Sequence, residues 1–348
     1  MASSDNDASS APDPRENDAL FGHEDAERRL LSAYQQGRLH HAHLFTGARG
    51  IGKATLAYRL ARFTLAHPDH TTEEVRGATS LYVRKDHPEF ARVASGGHPD
   101  MLTLEEKMDG KQGISIGVLR KATSFLEQTA ALGGWRVLVI DAGEDMAGPA
   151  ANALLKALEE PGRRTLILIV SHRPGRLLPT ILSRCLRTPL KPLDGQSMGA
   201  ALRHVGHDEA LDTPEAERRL ALANGSVGRF LSLSGKDLEM EERFRQLVSN
   251  LPRLPIDRVH AFADGLNRRE AFEAFLPTLQ DWLSGSVRGA VLANERLPGR
   301  LEAWAALWEK TARAAALADE YNLERKQVIL DALLEAAHIA GEPTVHAD

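Results

Sequence analysis

The chain has 348 residues, of which 43% are hydrophobic and 26% are charged, an ordinary composition for a folded protein of about two or three domains. A single cysteine excludes an internal disulfide and a cysteine-based zinc module, and the absence of an apolar run of about 18 residues excludes a membrane span. The net charge of −5 gives the whole chain no general attraction to nucleic acid. We expect a cytoplasmic protein.

The N-terminal residues 1–18 are rich in Ser, Asp, Ala and Pro and contain no apolar segment. This composition predicts a disordered tail and not a signal peptide. The first apolar run, Ala42–Thr46, leads into a glycine-rich loop, and Lys53–Ala66 follows with helical composition. Strand, loop and helix in this order form the context in which a phosphate-binding loop is expected.

The loop at 47–53 matches the pattern Gly-x-x-x-x-Gly-Lys of a Walker A motif. Gly47, Gly50 and Gly52 allow backbone N–H groups to converge on phosphate oxygens at the start of a helix, and Lys53 adds a positive charge there. The alternative is an ordinary glycine turn that enters a helix. Because the flanking strand and helix fit the motif, we interpret the loop as nucleotide-binding in origin.

The residues that an active ATPase needs beside this loop are not all present. The position that normally carries the Mg²⁺-binding hydroxyl is Ala54, and Thr55 lies about 100° further around the helix. Asp141 ends an apolar segment that resembles a Walker B strand, where it would orient Mg²⁺ or serve as a strand-end cap. Ala142 follows in place of the Glu that acts as general base in active AAA+ ATPases, a function worth roughly 10²–10⁴ in rate. Glu144 lies on the following turn, and we assign it no catalytic role.

Further apolar runs at 101–104, 136–141 and 165–170 read as buried parallel strands, and the helical pattern at 150–160 is stopped by Pro161-Gly162. This alternation predicts an α/β fold with a parallel sheet. After the prolines near 190 the pattern is helical, and we expect Trp282, Trp304 and Trp308 in the core of the last part. We predict a tail, a nucleotide-fold domain, a small helical domain and a larger helical domain, over residues 1–18, 19–190, 191–240 and 241–348.

The segment 135–185 resembles the core of bacterial clamp-loader ATPases of the AAA+ family. The resemblance rests on Val137–Asp141, Asn152–Pro161 and Leu178–Cys185, and residues 170–179 favour the delta-prime subunits of DNA polymerase III over the gamma/tau motor subunits. It implies a P-loop core, a helical lid and an all-α collar that closes a ring. In that ring a delta-prime subunit is a stator beside gamma/tau and delta, and the assembly places the sliding clamp on primed DNA.

The resemblance also implies that Arg184, in Ser183-Arg184-Cys185, reaches the γ-phosphate held by the neighbouring subunit. Such an arginine finger stabilises charge on the transferred phosphoryl group and is worth about 10³–10⁵ in rate. The alternative for Arg184 is an internal salt bridge, and Cys185 is expected to be a small buried residue. Gly228 stands where motor subunits carry a lid sensor arginine, a third departure from an active ATP site.

Three functions remain open from the sequence. The first is a stator of the DNA polymerase III holoenzyme that hydrolyses little or no ATP and contributes Arg184 in trans. The second is an active AAA+ ATPase motor that uses Thr55 and a displaced acid. The third is a stand-alone nucleotide-sensing DNA-binding protein, which the acidic net charge disfavours. For the stator we expect ATP or ADP with Mg²⁺ to be held weakly or not hydrolysed, and no zinc at the histidines of residues 67–98.

Overall fold

The computed structural model describes residues 12–105, 113–146, 148–207, 213–292, 301–320 and 323–341. The chain forms two compact units that divide between Ser232 and Leu233. The strands of the first unit are β1 (Ala42–Thr46), β2 (Met101–Glu105), β3 (Arg136–Asp141), β4 (Thr165–Ser171) and β5 (Leu186–Pro189). Its helices are α1 (Glu24–Gln35), α2 (Lys53–Ala66), α3 (Glu73–Gly77), α4 (Pro88–Ala94), α5 (Ile116–Glu127), α6 (Gly148–Glu159), α7 (Pro179–Leu182), α8 (Gly195–His204), α9 (Pro214–Ala223) and α10 (Val227–Ser232).

The strands form one sheet in the order β2-β3-β4-β1-β5, and all the pairings are parallel. The predicted α/β fold is therefore confirmed, and β1 to β4 lie where the apolar runs predicted them. The edge strand β5 was not predicted. Only Thr188 of its four residues is buried, so its sequence lacks the apolar run that marked the other strands.

The sheet lies between two layers of helices because alternate side chains of its strands face opposite sides. Val137 and Val139 of β3 belong to the same buried cluster as residues of α1, α2 and α4. Leu138 and Ile140 belong to the cluster on the other side, with residues of α5 and α6. The sheet also brings the carboxyl ends of its strands to one edge, which is where the site is built.

The N-terminal residues differ from the sequence prediction. The first eleven lie outside the described residues, but 12–18 pack against α2. The guanidinium groups of Arg59 and Arg62 are buried on α2 and donate to backbone carbonyl oxygens of this segment. A buried cation needs such acceptors. The prediction of disorder is therefore wrong for residues 12–18.

The second unit is helical, as predicted, and consists of α11 (Gly235–Val248), α12 (Ile256–Gly265), α13 (Arg269–Leu292), α14 (Leu301–Glu320) and α15 (Arg325–Gly341). Trp304 is buried, and Trp282 packs against the same core. Trp308 is 40% exposed, which contradicts its predicted core position, because Leu307 continues the buried face of α14 instead. No helix in the described part of the chain is long and apolar enough to cross a membrane.

A fully buried histidine in β1 makes the stability of the chain depend on pH. Neither ring nitrogen of His43 has a hydrogen-bond partner among the described residues, and burial lowers its pKa to about 4. The unfolded chain, in which a histidine pKa is about 6.5, therefore binds the proton more readily. This contribution to stability is present above about pH 6.5 and is lost as the pH falls towards the folded pKa.

Between about pH 7 and about pH 5.5, protonation of His43 in the unfolded chain should lower the free energy of unfolding by about 1 kcal/mol. We predict that His43→Leu abolishes this part of the pH dependence. Urea unfolding at the two pH values measures this difference. His260→Leu, at an exposed position of α12, is the control and should leave the difference unchanged. An unaltered pH dependence in His43→Leu would contradict the prediction.

Candidate functional site

The glycine-rich loop leaves β1 after Thr46 and leads directly into α2. Gly47, Gly50 and Gly52 all have positive φ, at 146°, 75° and 99°. At Gly50 a side chain is also excluded by space, since a Cβ would lie 2.6 Å from Ser226 Oγ. These three glycines therefore adopt backbone conformations that other residues disfavour.

A part of the helical segment after the sheet lies directly on this loop. The backbone N–H of Gly228 donates to Gly50 O at 3.1 Å, and Ser226 Oγ donates to Arg49 O at 2.7 Å. A Cβ at position 228 would stand 2.9 Å from Gly50 Cα. The sequence suggested only that Gly228 replaces a sensor arginine. The structure adds that glycine is the residue that allows this close backbone contact.

Two predicted charged residues, Lys53 and Asp141, influence each other at the carboxyl edge of the sheet. Lys53 is 2% exposed, and its Nζ donates to Ala48 O. Burial lowers the pKa of Lys53 to about 8, against the opposing charges of Asp141 and Glu144. Burial raises the pKa of Asp141 to about 6, and the charge of Lys53 opposes this rise. The loop therefore retains the cationic side chain of Lys53, but burial removes the water that would stabilise its charge.

The two positions after Lys53 do not restore a magnesium ligand. Ala54 packs against the core shared by α1 and α2, and Thr55 is only 8% exposed. Within the described residues, no group of three or more His, Cys, Asp or Glu side chains could hold a metal ion. The residues fit a phosphate cradle but do not fit the metal of a hydrolysing nucleotide site, because Asp141 has no hydroxyl partner at position 54.

Glu144 contributes to this edge in a way that the sequence did not reveal. Its Oε1 accepts hydrogen bonds from the backbone N–H groups of His172 at 2.8 Å and Arg173 at 3.1 Å. Its Oε2 is buried without a hydrogen-bond partner among the described residues. Next to it, burial lowers the pKa of His172 to about 4. Glu144 therefore ties the turn after β3 to the end of β4, close enough to influence Lys53.

Arg184 lies at the opposite edge of the sheet. It precedes β5, whose first residue, Leu186, is in register with His43 near the amino end of β1. The glycine-rich loop follows the other end of β1, about 13 Å further along the strand at ~3.3 Å per residue. The structure therefore brings Lys53 and Asp141 together but separates Arg184 from both.

The guanidinium of Arg184 is held on the surface by one ion pair and two hydrogen bonds. Nη2 lies 2.6 Å from Glu159 Oε1, and Nη1 donates to Thr180 O at 3.1 Å and Ser183 Oγ at 3.2 Å. The internal salt bridge considered as an alternative is thus present, although the Arg184 side chain remains 35% exposed. An open cleft of about 490 Å³ borders it, lined by residues that include His40, His41, Leu158 and Leu186.

Cys185 is buried behind this surface, as expected, and is a free thiol. Burial raises its pKa to about 11. The thiol therefore remains protonated near neutral pH and is part of the core around α5 to α7.

The backbone contact between Gly228 and Gly50 gives a direct prediction. Gly228→Ala should destabilise the first unit by about 1–3 kcal/mol, because the new methyl group overlaps the loop backbone. Gly195→Ala at the start of α8 is the matched control, since a Cβ there meets no atom within 4 Å. Thermal and urea unfolding of the two variants measure the effect. Equal stabilities would contradict the close packing of the loop.

Comparison with known proteins gives a consistent family. A family model described as "DNA polymerase III, delta subunit" matches residues 22–194. The DNA polymerase III subunit delta' of Pseudomonas aeruginosa is 32% identical over 308 residues, which cover 85% of this chain and 88% of that protein. The corresponding protein of Escherichia coli K12 is 28% identical over 331 residues, or 89% and 92% of the two chains.

Other comparisons match at lower coverage or lower identity. The DNA polymerase III subunit tau of Escherichia coli K12 is 30% identical over 264 residues, which cover 75% of this chain and 36% of that protein. The structure of the Thermotoga maritima RuvB Holliday junction branch migration motor aligns with 17% identity and a TM-score of 0.41, covering 93% of this chain and 90% of that one.

Proposed function

The chain belongs to the delta-prime family of DNA polymerase III clamp-loader subunits, and from this premise we propose that it is a stator that contributes Arg184 in trans. The observation that carries this proposal is the position of Arg184. It lies at the amino edge of the sheet, partly exposed beside an open cleft, while the chain's own phosphate-binding loop lies at the carboxyl edge. An arginine so placed is suited to a nucleotide held by another subunit.

The carboxyl edge supports the same proposal by what it lacks. Position 54 offers no oxygen to a metal ion, and Ala142 carries no base to activate water. Gly228 lies against the loop backbone. Any ATP or ADP that this loop holds is therefore held weakly and is not hydrolysed by this chain, and no step of the proposed function passes through it.

The proposed partners follow from the family. The chain assembles with gamma/tau subunits and with delta, and it contacts the sliding clamp and primed DNA through the complex. Its activity is then that of a subunit of the DNA polymerase III holoenzyme. The second unit, with its buried core of α11 to α15, is the proposed collar through which the subunits associate.

We predict that Arg184→Ala lowers ATP turnover at the neighbouring site by about 10³-fold or more. In a reconstituted clamp loader this is seen as a partial loss of DNA- and clamp-stimulated ATPase and a loss of clamp loading, because other sites of the ring keep their own fingers. Arg187→Ala, an exposed arginine of β5, is the matched control. Normal assembly with unchanged loading by the Arg184→Ala complex would remove the finger assignment.

A second candidate function is an active ATPase, and the observation that favours it is the buried, unpartnered Oε2 of Glu144 near Lys53. We expect the isolated chain to be silent, since Oε1 of the same carboxylate is bound to the backbone after β4. The measurement is ATP turnover by the chain alone and by Lys53→Ala and Glu144→Gln. ATP turnover by the isolated chain that both substitutions abolish would show that the chain is an active ATPase motor and would contradict the proposed stator function.

A further inference from the structure

We propose that Glu159 is a positioning residue for Arg184, one that fixes the direction in which the guanidinium meets the neighbour's phosphate. The inference rests on the proposed role of Arg184 as a finger. Glu159 is the last residue of α6, and its Oε1 lies 2.6 Å from Arg184 Nη2. It would touch neither substrate nor metal and would act through the arginine alone.

The contacts of Arg184 divide its donors into two groups. A guanidinium has five N–H donors in a rigid plane. Glu159 forms an ion pair with Nη2, while Thr180 O and Ser183 Oγ accept hydrogen bonds from Nη1. The Nε–H has no acceptor among the described residues. The Nε–H belongs to the two-pronged edge that arginine can present to phosphate oxygens.

Stability gives no adequate reason for this ion pair. The side chains of Arg184 and Glu159 are 35% and 50% exposed, and exposed pairs contribute little to folding. Glu159 also places a negative charge at the C-terminal end of α6, where the helix dipole already disfavours one. A carboxylate in an unfavourable position that orients an arginine is better explained by what the arginine does.

The end of α6 is itself fixed to the sheet. Nε2 of His41 lies 2.9 Å from Leu158 O, and since a carbonyl can only accept, the histidine donates. Leu158 O is one of the last carbonyls of the helix, which have no partner within the helix. Glu159 is thus anchored to the start of β1 through its neighbour Leu158. The ion pair between Glu159 and Arg184 is therefore built on a rigid part of the fold.

A rigid support matters because an arginine finger works by electrostatic stabilisation of a transition state. Donors that are already oriented when charge develops need no reorganisation at that moment. A displacement of about 1 Å in a catalytic group costs up to about 10²-fold in rate. Loss of the Glu159 carboxylate should therefore impair turnover without preventing assembly or nucleotide binding by the neighbour.

The experiment compares reconstituted clamp loaders that contain Glu159→Gln, Glu159→Asp or Glu160→Gln. Glu159→Gln should lower the kcat of DNA- and clamp-stimulated ATP turnover at the adjacent site by about tenfold and leave KM unchanged. Glu159→Asp keeps the charge but shortens the reach, so its kcat should be intermediate. Glu160→Gln, the exposed neighbouring carboxylate, should behave as the unmodified chain. Thermal unfolding and complex formation are measured on each variant.

Combination with Arg184→Ala distinguishes positioning from a merely structural role. In the Arg184→Ala background, Glu159→Gln should cause no further loss of turnover, because the group it positions is gone. Additive losses, an unchanged kcat or an increased kcat in Glu159→Gln would overturn the inference while leaving the finger in place. Unchanged turnover in Arg184→Ala itself would overturn the proposed function, and the positioning role with it.

Discussion

The buried parallel sheet is the constraint on which both candidate sites depend. Because every strand runs in the same direction and both faces are covered by helices, loops emerge at only two edges. The carboxyl edge receives the glycine-rich loop and Asp141, and the amino edge receives Arg184. One strand, β1, links the two edges, with His41 before it and the loop after it. A single domain of this kind can carry its own phosphate-binding loop on one edge of the sheet and, on the other edge, a residue available to a nucleotide held by a neighbour.

The carboxyl edge is in this sense occupied by the chain's own contacts. Lys53 is buried and donates to the loop carbonyl of Ala48, and Gly228 binds the loop at Gly50. The first contact uses the ammonium group that a nucleotide phosphate would otherwise engage, and the second fixes the loop backbone next to the phosphate-binding N–H groups. Burial also moves the pKa values of Lys53 and Asp141 towards each other, to about 8 and about 6. The edge thus has the residues of a phosphate site under conditions that disfavour charge.

Local patterns predicted the elements well, because periodicity and glycine placement are properties of short segments. The helix from Lys53 to Ala66 and the strands β1 to β4 lie where the sequence placed them. The prediction failed where the deciding partner is distant in sequence. The contact of Ser226 with Arg49 joins residues 177 positions apart, and the role of Glu144 depends on backbone groups after β4.

The same limit explains the errors at the chain's start and in α14. The composition of residues 12–18 indicates disorder, but α2 buries two guanidinium groups whose need for acceptors composition cannot reveal. Trp308 looks like core by residue type, yet the neighbouring Leu307 takes the buried position. Position 54 is different, since the missing hydroxyl is a property of one residue and was readable directly.

The amino edge shows why the ion pair and the proposed finger are not competing explanations for Arg184. A long flexible side chain left without partners would sample many rotamers, and ordering it would oppose each turnover. In the proposed function, the pair with Glu159 restricts that freedom before the neighbour's nucleotide arrives, and the Nε–H has no acceptor among the described residues. The carboxylate is held by α6, and the penultimate residue of α6 is held by His41. Under the proposed function, the stator would therefore contribute more than the charge of Arg184, because its rigidity would determine where that charge is placed.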